Sequence, residues 1–298
     1  MKTLIIKLGA TGDVVRTSTL LRVLEGEVTW VTTAKNRVYV EGLDASDVRP
    51  EALTVWAWEE RERLAGQAFD LAICLEDDVE TAQVLKNVSV GRLFGAYQAA
   101  DGTMAYTDDA YRWFDLSLIS RYGREAADQH KLVNRHTYQE LVFDGLGYPF
   151  TNEGYCLPPT TASPLHGDVA IAPEAGPVWP MKKWAHYEKL KSELEARGLK
   201  VNHLPKRDTL LEHLADVRGH RAIVCGDSLP MHLALGSGIR TVALFNCTSP
   251  WEIYDYGLLT KIVSPLLEEY FYKRGFEERA TTAIGLEEVL TATLDALG

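Results

Sequence analysis

The chain has 298 residues, of which 46% are apolar and 24% charged, so it can form a sizeable core in one large domain or two medium ones. Its formal net charge of −11 argues against extended nucleic-acid binding but is compatible with a small anion held by a few amides and lysines. The four cysteines form no CxxC pair and the N terminus resembles no signal peptide or membrane span, so we expect a cytoplasmic protein with at most peripheral membrane contact.

The first half of the chain alternates strand-like and helical stretches. TLIIKL is followed by VVRTSTLLRVL, with apolar residues at helical spacing, and then by the β-rich EVTWVTT. This order predicts a strand, a helix and a second strand. Two further strands are predicted in FDLAICL and VSVGRLFGA, and residues 134–147 predict a helix that ends at a glycine. The first half is therefore of the α/β class.

The pattern is interrupted over residues 147–167, which are rich in proline, glycine, threonine and serine. Strands are then predicted again in DVAIAP, KVNHL, RAIVC and TVALF, with an amphipathic helix over residues 184–198. We therefore expect two Rossmann-like, doubly wound α/β domains that face an interdomain cleft, an N-terminal one over 1–150 and a C-terminal one over 165–278.

The last stretch, residues 279–298, predicts a helix that packs on a domain surface. Its apolar residues recur at spacings of three and four and form one stripe. The stripe consists of Leu286, Val289, Leu290, Leu294 and Leu297.

The loop between the first strand and helix, LGATGDVV, carries two glycines and an acid. We expect Gly9 and Gly12 to permit positive φ and close backbone approach, and the following helix to direct its amides and positive dipole end into the loop. Asp13 lies at or beside that helix start, where capping is its common use. The spacing matches neither GxGxxG nor a P-loop, so dinucleotide and NTPase sites are not indicated.

A second loop of this kind lies within residues 221–250. A buried strand ends there, and Asp227 or Ser228 is predicted to cap a helix with Pro230 in its first turn. Such a helix start suits a nucleotide diphosphate, with Ser228 donating to a phosphate oxygen. His232, one turn further on, is explained as well by packing as by a function.

Three stretches between residues 7 and 257 carry motifs that occur together in one family. The first stretch has a basic residue, a short loop, Gly-Asp and a helix, and it reads KLGATGDVVRTSTLLRVL. The second stretch lies near the end of the chain and reads GDSLPMHLALGSGIRTVALFNCTSPWEIYDYG. The third lies between these two and reads MKKWAHYEKL. The first two are similar to the two signatures of glycosyltransferase family 9, the ADP-heptose:lipopolysaccharide heptosyltransferases. The third resembles that family's Lys-x-Trp segment, expected to open the first helix of the C-terminal domain.

The resemblance implies a GT-B fold, with the donor nucleotide mostly on the C-terminal domain and the acceptor on the N-terminal one. It implies an inverting, metal-independent transfer with no cofactor beyond a nucleotide-sugar donor, for which ADP-heptose is favoured. Asp13 matches the family's base, which removes the proton of the acceptor hydroxyl as that oxygen attacks the anomeric carbon. The implied partners are this donor and a glycan or small-molecule acceptor, and no nucleic acid.

The same resemblance assigns the donor-binding residues. The leaving diphosphate is expected to contact the amides at Ser228 and Leu229 and the ammonium of Lys182 or Lys183. Asp227 matches a family acid beside the donor sugar's hydroxyls. The complete predicted donor set is Gly12, Lys182, Lys183, Asp227, Ser228, Leu229, His232 and Thr248, without a metal ligand.

The chain departs from the family pattern at three places. Leu229 replaces a glycine that lets the backbone approach phosphate, Asn246 replaces another glycine, and NHLPKRD, around Lys206, lacks a glycine-rich turn. Because of these departures, the sequence does not determine the identity of the donor. Leu229 and Asn246 also favour an alternative, a non-catalytic GT-B protein that binds a nucleotide or a glycan. Another GT-B enzyme, such as a sugar-nucleotide epimerase, is a third alternative.

One acidic stretch, CLEDDVE, follows a predicted strand. It predicts either a capped helix start or an acceptor contact in which Glu76, Asp77 and Asp78 accept hydrogen bonds from sugar hydroxyls. Because these charges repel phosphate, a strongly phosphorylated acceptor is disfavoured. The sequence therefore does not determine the identity of the acceptor.

Overall fold

The computed structural model describes residues 1–116 and 122–298. They divide into two compact units, Met1–Pro159 and Thr160–Gly298. The division lies in the Pro- and Gly-rich stretch where the alternating pattern is interrupted. The domain bounds 1–150 and 165–278 stay predictions.

Strands and helices alternate in both units. The strands are β1 (Lys2–Ile6), β2 (Glu27–Thr32), β3 (Ala52–Ala57), β4 (Ala68–Cys74), β5 (Ser89–Gln98), β6 (Met104–Tyr106), β7 (Gly167–Ala172), β8 (Val201–His203), β9 (His220–Gly226), β10 (Arg240–Phe245) and β11 (Leu259–Val263). The α-helices are α1 (Thr11–Thr17), α2 (Arg37–Glu41), α3 (Val79–Leu85), α4 (Tyr111–Phe114), α5 (Arg124–Val133), α6 (Tyr138–Leu146), α7 (Tyr187–Glu195), α8 (Leu210–Arg218), α9 (Leu229–Gly236), α10 (Leu267–Tyr270), α11 (Glu278–Thr282) and α12 (Leu286–Leu297).

The first unit contains a six-stranded sheet in the order β3-β2-β1-β4-β5-β6. All pairs are parallel except β5 with β6, which is antiparallel. The chain adds β2 and β3 on one side of β1 and then returns to add β4 on the other, so that Ile6 is paired with Val31 in β2 and with Cys74 in β4. Such a reversal is a topological switch point, where the loops after two neighbouring strands diverge and leave a crevice.

The second unit contains a five-stranded parallel sheet in the order β11-β10-β9-β7-β8. Its reversal lies between β7 and β9, since β8 is added on one side of β7 and β9 on the other. Ala172 at the end of β7 is paired with Cys225 near the end of β9. The loops that follow these two strands therefore begin side by side.

Each sheet is covered by helices whose apolar sides form its core. In the first unit, Ile5 and Ile73 of adjacent strands are fully buried together with Val14 of α1. In the second unit, Val224 and Val242 are buried against Leu290 of α12. The five stripe residues of the C-terminal helix are buried in this core or pack against it.

Helix ends follow local signals in the sequence. Thr137 and Glu140 form a capping box at the start of α6, and Gly147 ends this helix with a φ of 85°. The Lys-x-Trp segment behaves differently from the expectation that it opens a helix. Pro180–Lys182 form a 3₁₀ turn, and α7 begins only at Tyr187.

Candidate functional site

The two loops singled out by the sequence lie at the switch points of the two sheets. In the first unit, the loop after β1 leads into α1, and the acidic stretch follows β4. In the second unit, the segment with the two lysines follows β7, and Asp227 follows β9. Ligands of open α/β sheets bind at such edges.

The loop after β1 is held by a carboxylate of the first unit itself. Glu76 Oε1 accepts hydrogen bonds from the backbone N–H groups of Leu8, at 2.6 Å, and Gly9, at 3.3 Å. It also accepts one from Lys7 Nζ at 2.9 Å, and Lys7 is buried. The backbone N–H groups of Leu8 and Gly9, which precede α1, are thus occupied by Glu76, which fixes the loop.

The glycines of this loop differ from the prediction. Neither Gly9 nor Gly12 has a positive φ, and a Cβ on Gly9 would meet no atom within 4 Å. Gly12 lies in the first turn of α1, where the backbone is helical. The loop conformation therefore comes from the hydrogen bonds to Glu76 and not from left-handed glycines.

Asp13 lies in the first turn of α1, three residues after the N-cap residue Ala10, so it is not the N-cap. Its Oδ1 accepts hydrogen bonds from Arg16, with 3.0 Å to Nε and 2.8 Å to a terminal nitrogen. The Asp13 side chain is 32% exposed and that of Arg16 only 12%. A partly exposed carboxylate in the first turn of a helix suits an ionised base.

Arg16 is supported by Tyr138 of α6. The guanidinium carbon lies 4.1 Å from the centre of the Tyr138 ring, a cation–π contact. The Tyr138 hydroxyl is hydrogen-bonded to Thr17 at 2.7 Å, and Thr17 Oγ1 donates to the carbonyl of Asp13 at 2.6 Å. Burial raises the pKa of Tyr138 to about 12, so the phenol stays neutral.

Lys7 adds positive charge near Asp13. Burial acts to lower the pKa of Lys7, but the charges of Asp13 and Glu76 outweigh it and raise that pKa. Lys7 is therefore protonated at neutral pH. Sequence reasoning did not find Arg16 or Tyr138, although an Asp and an Arg three residues apart on a helix are a recognisable signal for a pair.

The acidic stretch after β4 has structural uses. Asp78 caps α3 by accepting from Thr81 N at 2.9 Å and from its hydroxyl at 2.6 Å. Glu76 holds the loop after β1, as described above. The capped helix start is therefore the correct interpretation for Asp78, and Glu76 is engaged within the protein.

In the second unit, Lys182, Asp227 and Thr248 form a largely buried polar cluster. Lys182 Nζ donates to Asp227 Oδ2 and to the Asp227 carbonyl, both at 2.8 Å. Thr248 Oγ1 donates to the same carboxylate oxygen at 2.8 Å. The side chains of Lys182 and Asp227 are 18% and 16% exposed. We call these three residues the Lys182 cluster.

The Lys182 cluster keeps Asp227 ionised. Burial acts to raise the pKa of Asp227, but the charge of Lys182, its hydrogen bond, the nearby His232 and the Thr248 hydroxyl together lower this pKa to about 2. His232 is buried on α9. The structure thus brings four predicted donor residues together.

Gly226 allows this arrangement. A Cβ at Gly226 would lie 2.9 Å from the carbonyl oxygen of Lys182, closer than side-chain carbons pack. The absence of a side chain therefore lets the 3₁₀ turn with Lys182 approach the end of β9.

The neighbouring Lys183 is exposed, and its Nζ lies 3.8 Å from Glu174. Of the two candidate lysines, only Lys182 joins the cluster.

The start of α9 lies directly after Asp227. Ser228 is the N-cap residue, but its side chain does not cap the helix; its hydroxyl donates to the Gly226 carbonyl at 3.2 Å. Leu229 is the first residue of α9 and is partly exposed. No side-chain cap occupies the backbone N–H groups at the start of α9. The predicted phosphate contact requires such uncapped N–H groups.

The loop after β10 differs from the family pattern at Asn246, which is fully buried. Its side-chain nitrogen donates to the Lys183 carbonyl at 3.3 Å. Asn246 therefore ties the loop that carries Thr248 to the lysine segment. The substitution has a structural role that does not remove the cluster.

A cavity of about 540 Å³ lies at the same edge of the second sheet, after β7 and β8. Its lining includes Glu174, Lys183, Tyr187, His203 and Phe276. This volume is in the range of small-molecule sites. Lys183 thus lines a cavity beside the Lys182 cluster without belonging to the cluster.

Over the described ranges, 1–116 and 122–298, no three His, Cys, Asp or Glu side chains are grouped as metal ligands would be. No helix within those ranges has both the length and the apolar character needed to cross a bilayer.

Comparisons with known proteins agree with the motifs. Residues 178–274 match the family model described as glycosyltransferase family 9 (heptosyltransferase). This segment contains the complete Lys182 cluster. No curated protein sequence matches the chain significantly.

Solved structures share the fold at low sequence identity. A family 9 glycosyl transferase from Veillonella parvula has a TM-score of 0.68 and 15% identity, over 99% of this chain and 97% of that one. E. coli WaaC with ADP-2-deoxy-2-fluoro heptose has a TM-score of 0.61 and 16% identity over 100% of both chains. E. coli ADP-heptose lps heptosyltransferase II has a TM-score of 0.64 and 15% identity, over 100% of this chain and 98% of that one.

These matches confirm the predicted α/β fold, which is the one that heptosyltransferase structures share. They also agree with the predicted resemblance: residues 178–274, in the second unit, match the glycosyltransferase family 9 model, and glycosyltransferase is the enzyme class that this match indicates.

Proposed function

We propose that the protein is an inverting glycosyltransferase that moves a sugar from a nucleoside-diphosphate donor to a hydroxyl of a glycan or small-molecule acceptor. The observation that carries this proposal is the Lys182 cluster, which lies at the switch point of the second sheet within the segment that matches the family model. An ADP-linked heptose is the favoured donor. Its support is that E. coli WaaC was solved with ADP-2-deoxy-2-fluoro heptose.

In this proposal the second unit binds the donor. The ammonium of Lys182 and the amides of Ser228 and Leu229 contact the diphosphate, and Asp227 accepts hydrogen bonds from hydroxyls of the sugar. The cavity lined by Lys183 is large enough for the nucleoside. Lys182, with smaller contributions from His232 and Thr248, holds Asp227 in its ionised form.

The chemical step is a single displacement. The acceptor hydroxyl oxygen attacks the anomeric carbon, the bond from that carbon to the diphosphate oxygen breaks, and the diphosphate leaves with the electron pair. Asp13 takes the proton of the attacking hydroxyl, a contribution of about 10²- to 10⁴-fold to the rate. Because attack occurs opposite the leaving group, the anomeric configuration inverts.

Asp13 suits the role of base because its charge is retained and its carboxylate is accessible. The pair with Arg16 favours the ionised form, and one third of the side chain is exposed. With one third of its side chain exposed, the carboxylate can be reached by a substrate hydroxyl.

We further propose that the leaving group is stabilised without a metal ion. Lys182 and the start of α9 are a cation and a positive dipole end at one place, which is the kind of charge that a departing diphosphate requires. A chelator is then expected to leave the transfer rate unchanged.

The four cysteines are free and buried, which suits the reducing cytoplasm that we propose as the location.

The non-catalytic alternative is not favoured. It was based on Leu229 and Asn246, but Asn246 ties two loops of the cluster together, and the start of α9 has no side-chain cap. Both acids that the reaction needs, Asp13 and Asp227, are in charged contacts that favour their ionised forms.

The test is a donor panel followed by product analysis. Thermal stability is measured with ADP-heptose, ADP-glucose, UDP-glucose and GDP-mannose, and stabilising donors are incubated with pooled glycan and small-molecule acceptors. We expect the largest stabilisation from an ADP-linked sugar and a product whose anomeric configuration, read by NMR, is opposite to that of the donor. Equal stabilisation by every donor contradicts a dedicated donor site, and retained configuration contradicts the mechanism.

A further inference from the structure

We propose that Arg274 is a second cation for the diphosphate of the donor, held next to the Lys182 cluster by Trp179. This inference rests on the proposed function, because it assumes that a nucleoside diphosphate binds at the cluster.

The Lys182 cluster has no net positive charge of its own. The ammonium of Lys182 lies 2.8 Å from Asp227, whose pKa of about 2 keeps it ionised at neutral pH. The two charges balance, whereas a diphosphate brings at least two negative charges. The chain as a whole, at −11, repels such a ligand. A further cation near the cluster would therefore strengthen the binding of a diphosphate.

Arg274 has the properties that this role requires. It is exposed, and its guanidinium carbon lies 5.8 Å from the centre of the Trp179 ring. Among the described residues no ion pair involves Arg274, in contrast to Arg279, which pairs with Glu269 at 2.9 Å. A guanidinium that lies over an aromatic ring keeps its N–H donors available at the edge of the plane.

Two contacts connect Arg274 with the cluster. On one side, the carbonyl of Trp179 accepts the N–H of Lys182 at 3.0 Å, so the ring under Arg274 is carried by the residue that directly precedes the 3₁₀ turn of the lysine. On the other side, Tyr272 N–H donates to the Cys247 carbonyl at 2.8 Å, and Cys247 precedes Thr248.

The Tyr272 ring connects these two sides. It meets the Trp179 ring edge to face, with centroids 5.3 Å apart. The segment from Tyr272 to Arg274 is therefore anchored to two of the three loops that build the cluster. This placement presents Arg274 where the loops after β7 and β10 come together.

Arginine is well matched to the ligand. Its planar fork can donate two parallel hydrogen bonds to phosphate oxygens, and it is charged at every accessible pH. A group that binds only the diphosphate contributes to ADP binding but not to adenosine binding. Such a group also stabilises the diphosphate as it leaves the sugar.

The test is calorimetric titration of the full-length protein with ADP, AMP and adenosine. We compare the wild type with Arg274→Gln, Arg274→Lys and the matched control Lys273→Gln, which removes the charge of the neighbouring exposed lysine. We expect Arg274→Gln to weaken ADP binding at least tenfold and adenosine binding less than twofold. Arg274→Lys should restore part of the loss, and Lys273→Gln should change ADP binding less than threefold.

The outcomes separate this inference from the proposed function. If the wild type binds ADP and Arg274→Gln binds it within twofold of the wild type, Arg274 has no such role, while the proposed function stands. If Lys273→Gln weakens ADP binding as much as Arg274→Gln, the effect is general electrostatics and the specific assignment to Arg274 is wrong. If the wild type binds none of the three ligands, the proposed ADP-linked donor fails together with this inference. A Trp179→Ala variant that weakens ADP binding while Trp179→Phe does not would support the role of the ring beneath Arg274.

Discussion

Asp13 and Asp227 both lie just beyond a strand at the switch point of a sheet, but their surroundings differ. Asp13 is one-third exposed and paired with Arg16 from the same helix. Asp227 is largely buried and contacts Lys182, 45 residues earlier in the chain, and Thr248. The first pair is local and accessible, whereas the second joins three loops of its unit.

This difference suits two different tasks. The Asp13 carboxylate is one-third exposed and is paired within its own helix, so a substrate can reach it. A buried pair is costly to break, because removal of one partner leaves an unpaired buried charge. We infer that Asp13 is the reactive group and that Asp227 is part of a preorganised binding site.

The largest expected effect is that of Asp13→Asn. The variant keeps the shape of the side chain but cannot accept the proton, so the transfer rate should fall about 10²- to 10⁴-fold. Donor binding, measured by calorimetry, should stay within about twofold of the wild type, because the donor contacts lie in the second unit. Transfer within a few-fold of the wild-type rate, with circular dichroism showing a folded protein, would disprove the assignment of the base.

The second prediction concerns the buried pair. Lys182→Met should lower the free energy of unfolding of the second unit by about 3 kcal/mol, since it leaves Asp227 buried without its cation. The double variant Lys182→Met/Asp227→Asn should recover at least half of that loss. The matched control Lys183→Met, at an exposed lysine, should cost less than about 0.5 kcal/mol.

Urea denaturation followed by tryptophan fluorescence measures these differences. Equal losses for Lys182→Met and Lys183→Met would show that the buried pair has no special importance. A double variant that is less stable than Lys182→Met alone would contradict the unpaired-charge explanation.

The third prediction concerns the loop that leads to Asp13. Glu76→Gln removes the charge that faces buried Lys7 and replaces the carboxylate oxygen that accepts from two backbone N–H groups with a neutral, weaker acceptor. We expect a loss of about 2 kcal/mol in the stability of the first unit, measured by chemical denaturation. Glu80→Gln, at an exposed residue of the same stretch, is the control and should cost less than about 0.5 kcal/mol.

The last prediction, of similar size, is a pH dependence of stability due to Asp227. Its pKa is lowered from 3.8 to about 2, so the folded state is favoured above pH about 4 and this advantage is lost as pH falls toward 2. The loss amounts to about 2 kcal/mol. It should appear in the wild type and be absent from Lys182→Met/Asp227→Asn. An identical acid dependence in both proteins would show that Asp227 is not held by the pair.

Much of the fold could be predicted because each element carries a local signal. The alternation of buried strands with amphipathic helices is visible in stretches such as TLIIKL and EVTWVTT, and Gly147 marks the end of α6. The order of strands within the sheets could not be predicted, since it depends on which strands pair across the chain. The switch points therefore became visible only in the structure.

The candidate site shows the same limit. The motifs pointed to Asp13 and Asp227, but they left Lys182 and Lys183 equivalent. The choice between them depends on the 3₁₀ turn and on the close approach that Gly226 permits, neither of which has a simple pattern in sequence. The role of Glu76, 67 residues from Gly9, has no local signal either.

The most direct test of the account is a crystal structure of the protein with ADP. We predict that diphosphate oxygens lie within about 3.2 Å of Lys182 Nζ and of the amides of Ser228 and Leu229. A diphosphate bound elsewhere, with the Lys182 cluster unchanged and uncontacted, would contradict it.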